Sequence, residues 1–265
     1  MSLSKIMVVV DPTQAQQPAL RRGIESAHLT GARLHLYACI NHTIGNGSID
    51  ALGATHLRKL EVLALDAESQ GLEVTVELDR GHDWPQRALQ AAARNSASML
   101  FKNSFTHSDV QREMRHTSDW TLMRLSPCPV LMVKNVRDWT SRRVLAAVNV
   151  HSGDRLHQKL NHQIVSVTQQ FVDAYGSDGH FVTACSDRNR MPQADDLARS
   201  LGAPPEHIHV REGEPYRAIA HTAEELQADL VVIGTVGRSG IKGQVIGNTA
   251  ERVLDHTLAD VLVIN

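Results

Sequence analysis

The stretch with the most chemical content lies near the carboxyl end of the chain: VIGTVGRSGIKGQVIGNTAERVLD, Val232 to Asp255. Gly234, Gly237 and Gly247 fall in the spacing G-x2-G-x9-G. Glycine has no Cβ, so a ligand can approach the backbone closely. Asn248 or Thr249 suits the N-cap of a helix over the residues that follow. A helix N-terminus presents unpaired N–H groups and a partial positive charge. Thr235, Arg238 and Lys242 sit in or beside the loop, and the two cations add charge. The chemistry implied is the binding of an oxyanion, above all a phosphate, by backbone amides. The spacing is neither G-x4-G-K-[ST] nor G-x-G-x-x-G, and by itself it also describes an ordinary strand-to-helix connection.

Other residue types raise other chemistries and carry them less far. The chain has 15 histidines, but they are scattered, and no His-Glu-x-x-His pattern or cysteine pair accompanies them. His207 and His209 alternate along a strand and share one face. Surface or satisfied histidines are the expectation, and no metal site is assigned. No G-x-S-x-G elbow points to a nucleophile. Ser239 reads as a loop hydroxyl, and Cys128, between two prolines, as packing. Asp11 ends an apolar run where an acid could bind a ribose or cap the next helix. Arg21 and Arg22 read as a solvated helix face or an inter-domain contact. Glu251 and Asp255, four residues apart around Arg252, read as an exposed helix pattern.

The elements that must position these residues repeat along the chain. KIMVVVD (Lys5–Asp11) is matched by RVLAAVN (Arg143–Asn149), ARLHLYACI by GHFVTACS, VTVELDRG by HIHVREG, and CPVLMVK by ADVLVIN. Each is a short, nearly continuous apolar run, the mark of a parallel strand buried on both faces. Helical periodicity lies between them. Leu20, Ile24 and Ala27 carry it in Pro18–Thr30, Leu57, Leu60, Leu63 and Ala67 in residues 51–70, and Leu160, Ile164, Val167 and Phe171 in the second half. The alternation predicts an α/β protein of two tandem open parallel five-stranded sheets flanked by helices, Rossmann-like in plan. The polar connector Asn135–Arg143 sets expected domains at residues 1–136 and 142–265. The halves differ where the loop lies: FKNSFTHSDVQREMRH stands in the first half where the glycine loop stands in the second.

Composition narrows the class. At 265 residues and 42% apolar, with only 4% aromatic, the chain has two domains' worth of aliphatic core. A net charge of −2 gives no pull toward nucleic acid or anionic membrane. No apolar run approaches the ~20 residues of a membrane span. The start, MSLSKIMVVVD, reaches Asp11 too soon for a signal peptide. Three distant cysteines fit a reducing compartment, so a cytoplasmic location is expected.

The glycine loop, NTAERVLD and the terminal DVLVI resemble the universal stress protein family. DPTQAQQPALRR, SDWTLMRLSPCPVLMVK and the doubled plan are similar to its tandem two-domain type. The resemblance implies an adenine-nucleotide-binding fold and a non-enzymatic role in stress response. It places phosphate contacts at Gly234, Gly237 and Gly247 and at Asn248, where the family has Ser or Thr; Thr249 comes one residue late. It also places Asn149 at the strand end where the family often has an Asp against adenine or ribose. That Asp is present as Asp11 in the half without the glycines, where Lys102, Asn103 and Ser104 stand instead and no nucleotide is expected. ATP is the implied ligand, with magnesium only as its companion. The alternatives are a scaffold, a non-nucleotide and more apolar ligand, or a slow ATPase, although no Walker-type lysine is present. The family's terminal strands often pair, which here implies pairing between the halves or a homodimer.

Overall fold

The computed structural model describes residues 3–40, 49–104, 118–134, 138–151, 154–235 and 249–265, with the side chains of 49–51 left aside. Gly237, Arg238, Gly247 and Asn248 lie outside the described residues, as do Ser239 and Lys242. The described chain divides into two compact units, the first ending at Val133 and the second running from Lys134 to Asn265.

The first unit contains β1 (Lys5–Val9), α1 (Pro18–Thr30), β2 (Arg33–Ile40), α2 (Ile49–Ser69), β3 (Val74–Arg80), α3 (Trp84–Arg94), β4 (Met99–Asn103), α4 (Ser118–Leu125) and β5 (Val130–Val133). Its strands lie in the order β3-β2-β1-β4-β5, all parallel. The second unit contains β6 (Arg143–Ala147), α5 (Arg155–Tyr175), β7 (Asp178–Cys185), α6 (Ala194–Leu201), β8 (Ile208–Glu212), α7 (Pro215–Glu225), β9 (Leu230–Gly234), α8 (Thr249–His256) and β10 (Asp260–Ile264). Its order, β8-β7-β6-β9-β10, repeats that of the first, again all parallel. The expected α/β class and strand sequence are therefore the observed ones. In each unit the order reverses between the first and fourth strands, so the crevice beyond their carboxyl ends is the natural ligand position.

Local chemistry explains where the elements begin and stop. Pro18 opens α1 and Gly31, at φ 70°, ends it in the left-handed conformation that a Cβ would strain. Asp83 and Asp154 cap α3 and α5 by accepting from the N–H groups of Gln86 and His157. The central strands are apolar over most of their length, and Ile6, Met7, Leu36, Phe101, Leu131, Val231 and Leu262 are fully buried. The connector is pinned within the second unit: Asp260 accepts from the Lys134 N–H at 2.8 Å and Trp139 Nε1 at 2.9 Å. Trp139 also packs on Tyr175, ring centroids 4.9 Å apart.

Two readings of exposure are corrected. Arg22 is 3% exposed and pairs with Glu25, because α1 turns that face onto its unit. Glu251 is 5% exposed, because α8 lays it inward rather than toward water.

Candidate functional site

Strand register aligns the two units residue by residue. Ile6 pairs with Met99 as Val144 pairs with Leu230. The Ser104 N–H donates to Val133 O and the Thr235 N–H to Ile264 O, both at 2.8 Å. Lys102, Asn103 and Ser104 therefore correspond to Ile233, Gly234 and Thr235. The Cys128 N–H donates to Ser126 Oγ and the Ala259 N–H to Thr257 Oγ1. With Ser126 matched to Thr257, Asp119 in the first turn of α4 corresponds to Ala250 in the first turn of α8.

The same crevice is built from opposite materials in the two units. In the first, Asn103 Oδ1 accepts from the Ala19 N–H at 2.6 Å, so a residue 84 positions away caps α1; the helix's own Gln17 makes no side-chain cap. Asp119 is 1% exposed. One of its oxygens meets Lys102 Nζ at 2.5 Å and the other accepts from Ser104 Oγ at 2.7 Å. An anion thus sits at the N-terminal turn of α4, where the helix field favours it, and it belongs to the protein. In the second unit the counterparts of Lys102, Asn103 and Asp119 are Ile233, Gly234 and Ala250, which carry no charge and no hydrogen-bonding side chain.

Gly234 has a packing reason to be glycine. A Cβ there would collide with the side chain of Leu160, which α5 lays across the end of β9. Thr235 is buried, and its hydroxyl donates to Asn265 Oδ1 at 2.7 Å. Asn149 lies two residues beyond β6, as Thr235 does beyond Ile233, and Ala147 pairs with Ile233. Asn149 and Thr235 thus stand at the carboxyl ends of neighbouring strands. Asn149 is exposed, and Asn161 grips its backbone: Asn161 Oδ1 accepts from the Asn149 N–H at 3.1 Å and Asn161 Nδ2 donates to Asn149 O at 2.8 Å. Its own Oδ1 accepts from the His151 N–H at 3.2 Å. Asp11 makes the same turn in the first unit, its Oδ1 accepting from the Thr13 N–H at 2.9 Å. Thr249 opens α8. The structure therefore places Asn149, Gly234, Thr235 and Thr249 at the ends of elements bordering the crevice of the second unit.

Two features escaped the sequence reading. One is a cavity of about 500 Å³ in the first unit, between the loop Pro12–Gln17 and α2, with Arg58, Lys59, Val62 and Leu63 along its helix side. Lys59 Nζ donates to Pro12 O at 3.0 Å. The other is a histidine cluster on β7 and the start of β8. His180 Nδ1 lies 3.2 Å from His209 Nε2, and the His180 and His207 ring centroids are 4.2 Å apart. Burial, then the neighbouring His207 and His209, push the pKa of His180 down to about 4. Burial also lowers His209. The corresponding His35 of the first unit meets Thr75 Oγ1 at 2.8 Å and Glu77 Oε2 at 3.2 Å. Only the i, i+2 spacing of His207 and His209 was readable; His180 joins them through strand pairing. Among the described residues no group of three His, Cys, Asp or Glu side chains is arranged to hold a metal ion.

A strand order that reverses at a crevice, present in both units, defines a tandem α/β protein with parallel strands flanked by helices. The universal stress protein family model matches residues 3–134 and 162–265, and the chain belongs to that family. It is 27% identical over 98% of its length to universal stress protein E of Salmonella typhi and to that of Escherichia coli K12, covering 93% of each. Among solved structures it is similar to the functionally unknown protein PA1789 from Pseudomonas aeruginosa PAO1. That match has 30% identity and a TM-score of 0.81, and covers 99% of this chain and 92% of that one. A universal stress protein from Archaeoglobus fulgidus shares the fold at 18% identity, with a TM-score of 0.77.

Proposed function

We propose that this chain is a cytoplasmic, non-enzymatic stress-response protein whose second domain, residues 142–265, binds an adenine nucleotide. The first domain, residues 1–136, does not. One observation carries the proposal: the crevice positions that hold a lysine, an asparagine and a buried aspartate in the first unit are Ile233, Gly234 and Ala250 in the second. A helix N-terminus favours an anion, and at the position of Asp119 the second unit has Ala250, with the buried Glu251 beside it in the same turn. Phosphates would lie against the amides of the glycine loop, at Gly237, Arg238, Gly247 and Asn248, and at Thr249. Asn149, its backbone held by Asn161, would face the ribose or base. ATP is the first ligand to test, with magnesium as its companion. A charge-assisted hydrogen bond contributes roughly 1.5–3 kcal/mol, so three or four suffice for micromolar affinity.

Calorimetry with ATP, ADP and AMP on the full chain tests this. Micromolar binding that Gly237→Asp abolishes supports it; no heat with any of the three sinks it. Phosphate released in proportion to protein concentration would make the protein an ATPase instead. The strands β5 and β10, apolar apart from Asp260, would pair within the chain or with a second copy, since an uncovered edge of that kind invites association. Light scattering decides whether the protein is a monomer.

A second reading, a partly apolar anionic ligand in the first unit, is favoured by the cavity beside α2. It joins the cations Arg58 and Lys59 to Val62 and Leu63. A co-purifying small molecule seen by native mass spectrometry would support it.

A further inference from the structure

We infer that the first unit contains an oxyanion site permanently occupied by the protein's own Asp119, whose carboxylate takes the place a phosphate-class ligand would take. This crevice of the first unit is then held in a loaded state that needs no ligand. The inference stands on the geometry of the first unit and does not require the nucleotide reading of the second.

Three independent contributions meet at this carboxylate. Lys102 supplies the cation at 2.5 Å and Ser104 a hydroxyl donor at 2.7 Å. Asp119 itself lies in the first turn of α4, where the helix field is positive. An ammonium, a hydroxyl and a helix N-terminus together form the donor set that recognises a phosphate. The group is closed from water: Asp119 is 1% and Ser104 3% exposed. Lys102 also donates to Asn103 O at 2.7 Å and lies 5.7 Å from the centre of the Trp84 ring, so its ammonium stays in place whether or not Asp119 is present. Asn103, one residue along, caps α1, which ties the seat to two helix starts. The second unit has neither the cation nor the carboxylate at the matching positions, which are Ile233 and Ala250; its first-turn acid, the buried Glu251, stands one residue further on.

The experiment removes the internal anion from the full chain and offers inorganic phosphate in its place. Asp119→Ala should melt lower than the wild type. Phosphate at tens of millimolar should raise its melting temperature by several degrees, and should slow amide exchange across residues 118–125. The wild type should show no protection at those residues. Asp119→Ala with Lys102→Ile, which reproduces the second unit, should fold and show no response there. Should Asp119→Ala prove unfolded, Asp119→Ser, which suits a helix start and also vacates most of the seat, is given the same phosphate and the same protection is expected of it. Absence of protection in a folded single variant, or equal protection in the double variant, overturns the inference. Because the exchange is read at α4, the result is separate from whether the second unit binds ATP.

Discussion

The crevice at the end of β4 and its counterpart at the end of β9 share strand order, register and helix placement, yet differ in what stabilises them. The first is closed by buried polar contacts: Lys102 and Ser104 on Asp119, and Asn103 on the Ala19 amide. The second has apolar packing at the matching strand end, with Leu160 laid where a Gly234 Cβ would project. One fold thus accommodates two solutions to the same electrostatic problem, the positive end of a helix facing a strand terminus. A side chain covalently in the protein supplies a constant charge. At the matching position the second unit has Ala250, and its first-turn acid is the neighbouring Glu251.

The comparison breaks most visibly at Asp119. Removing one member of a buried ion pair strands the other, which costs about 3–5 kcal/mol. Asp119→Ala should lose stability on that order in urea unfolding, and adding Lys102→Ile should recover most of the loss. A loss under 1 kcal/mol for the single variant would mean that the pair is not the closure of the first crevice.

The next effect concerns the opposite ends of the strands. His180 is neutral in the fold because burial and its two histidine neighbours hold its pKa near 4, against about 6.5 in an unfolded chain. Between those values the unfolded chain takes up a proton that the fold refuses. The contribution is complete above about pH 6.5 and is lost as the pH falls toward 4, a change of about 3 kcal/mol. His209→Glu copies Glu77, the residue beside His35 in the first unit, and should flatten the decline. Denaturant midpoints at pH 7.5, 6 and 5 measure it. A wild-type profile flat between pH 7.5 and 5 would contradict the neutral assignment.

Overpacking comes third. Gly234→Val should cost about 2 kcal/mol, within the range for a crowded core, and Leu160→Ala should offset much of it by making room. A tolerated Gly234→Val would mean that Leu160 yields freely and that glycine there serves only the loop. The smallest effect is expected at Asn161. Asn161→Ala removes the two hydrogen bonds that hold the Asn149 backbone, at about 1 kcal/mol. ATP affinity should weaken a few-fold, because Asn149 loses its fixed position. Unchanged affinity would separate Asn149 from the ligand.

How legible the molecule was depended on how far apart the partners lie. The strands and the helix Pro18–Thr30 were readable because Pro18, Gly31 and the apolar spacing act within a few residues. The doubled plan was readable because it is a repetition. Arg22 and Glu251 were misread because helical spacing says which residues share a face, not which face is covered.

By itself, the sequence determined the alternation of strand and helix, the duplication, and which half carries the glycines, all of which follow from short-range periodicity and backbone preference. Tertiary structure alone decided that Asn103 caps a helix 84 residues away, that Lys102 and Asp119 pair inside the protein, that Leu160 meets Gly234, and that three histidines share one patch. The physical reason is the same in each case. Parallel strands bring together residues that no local pattern links, and whether a charge is buried and paired or left for a ligand depends on what the sheet places beside it.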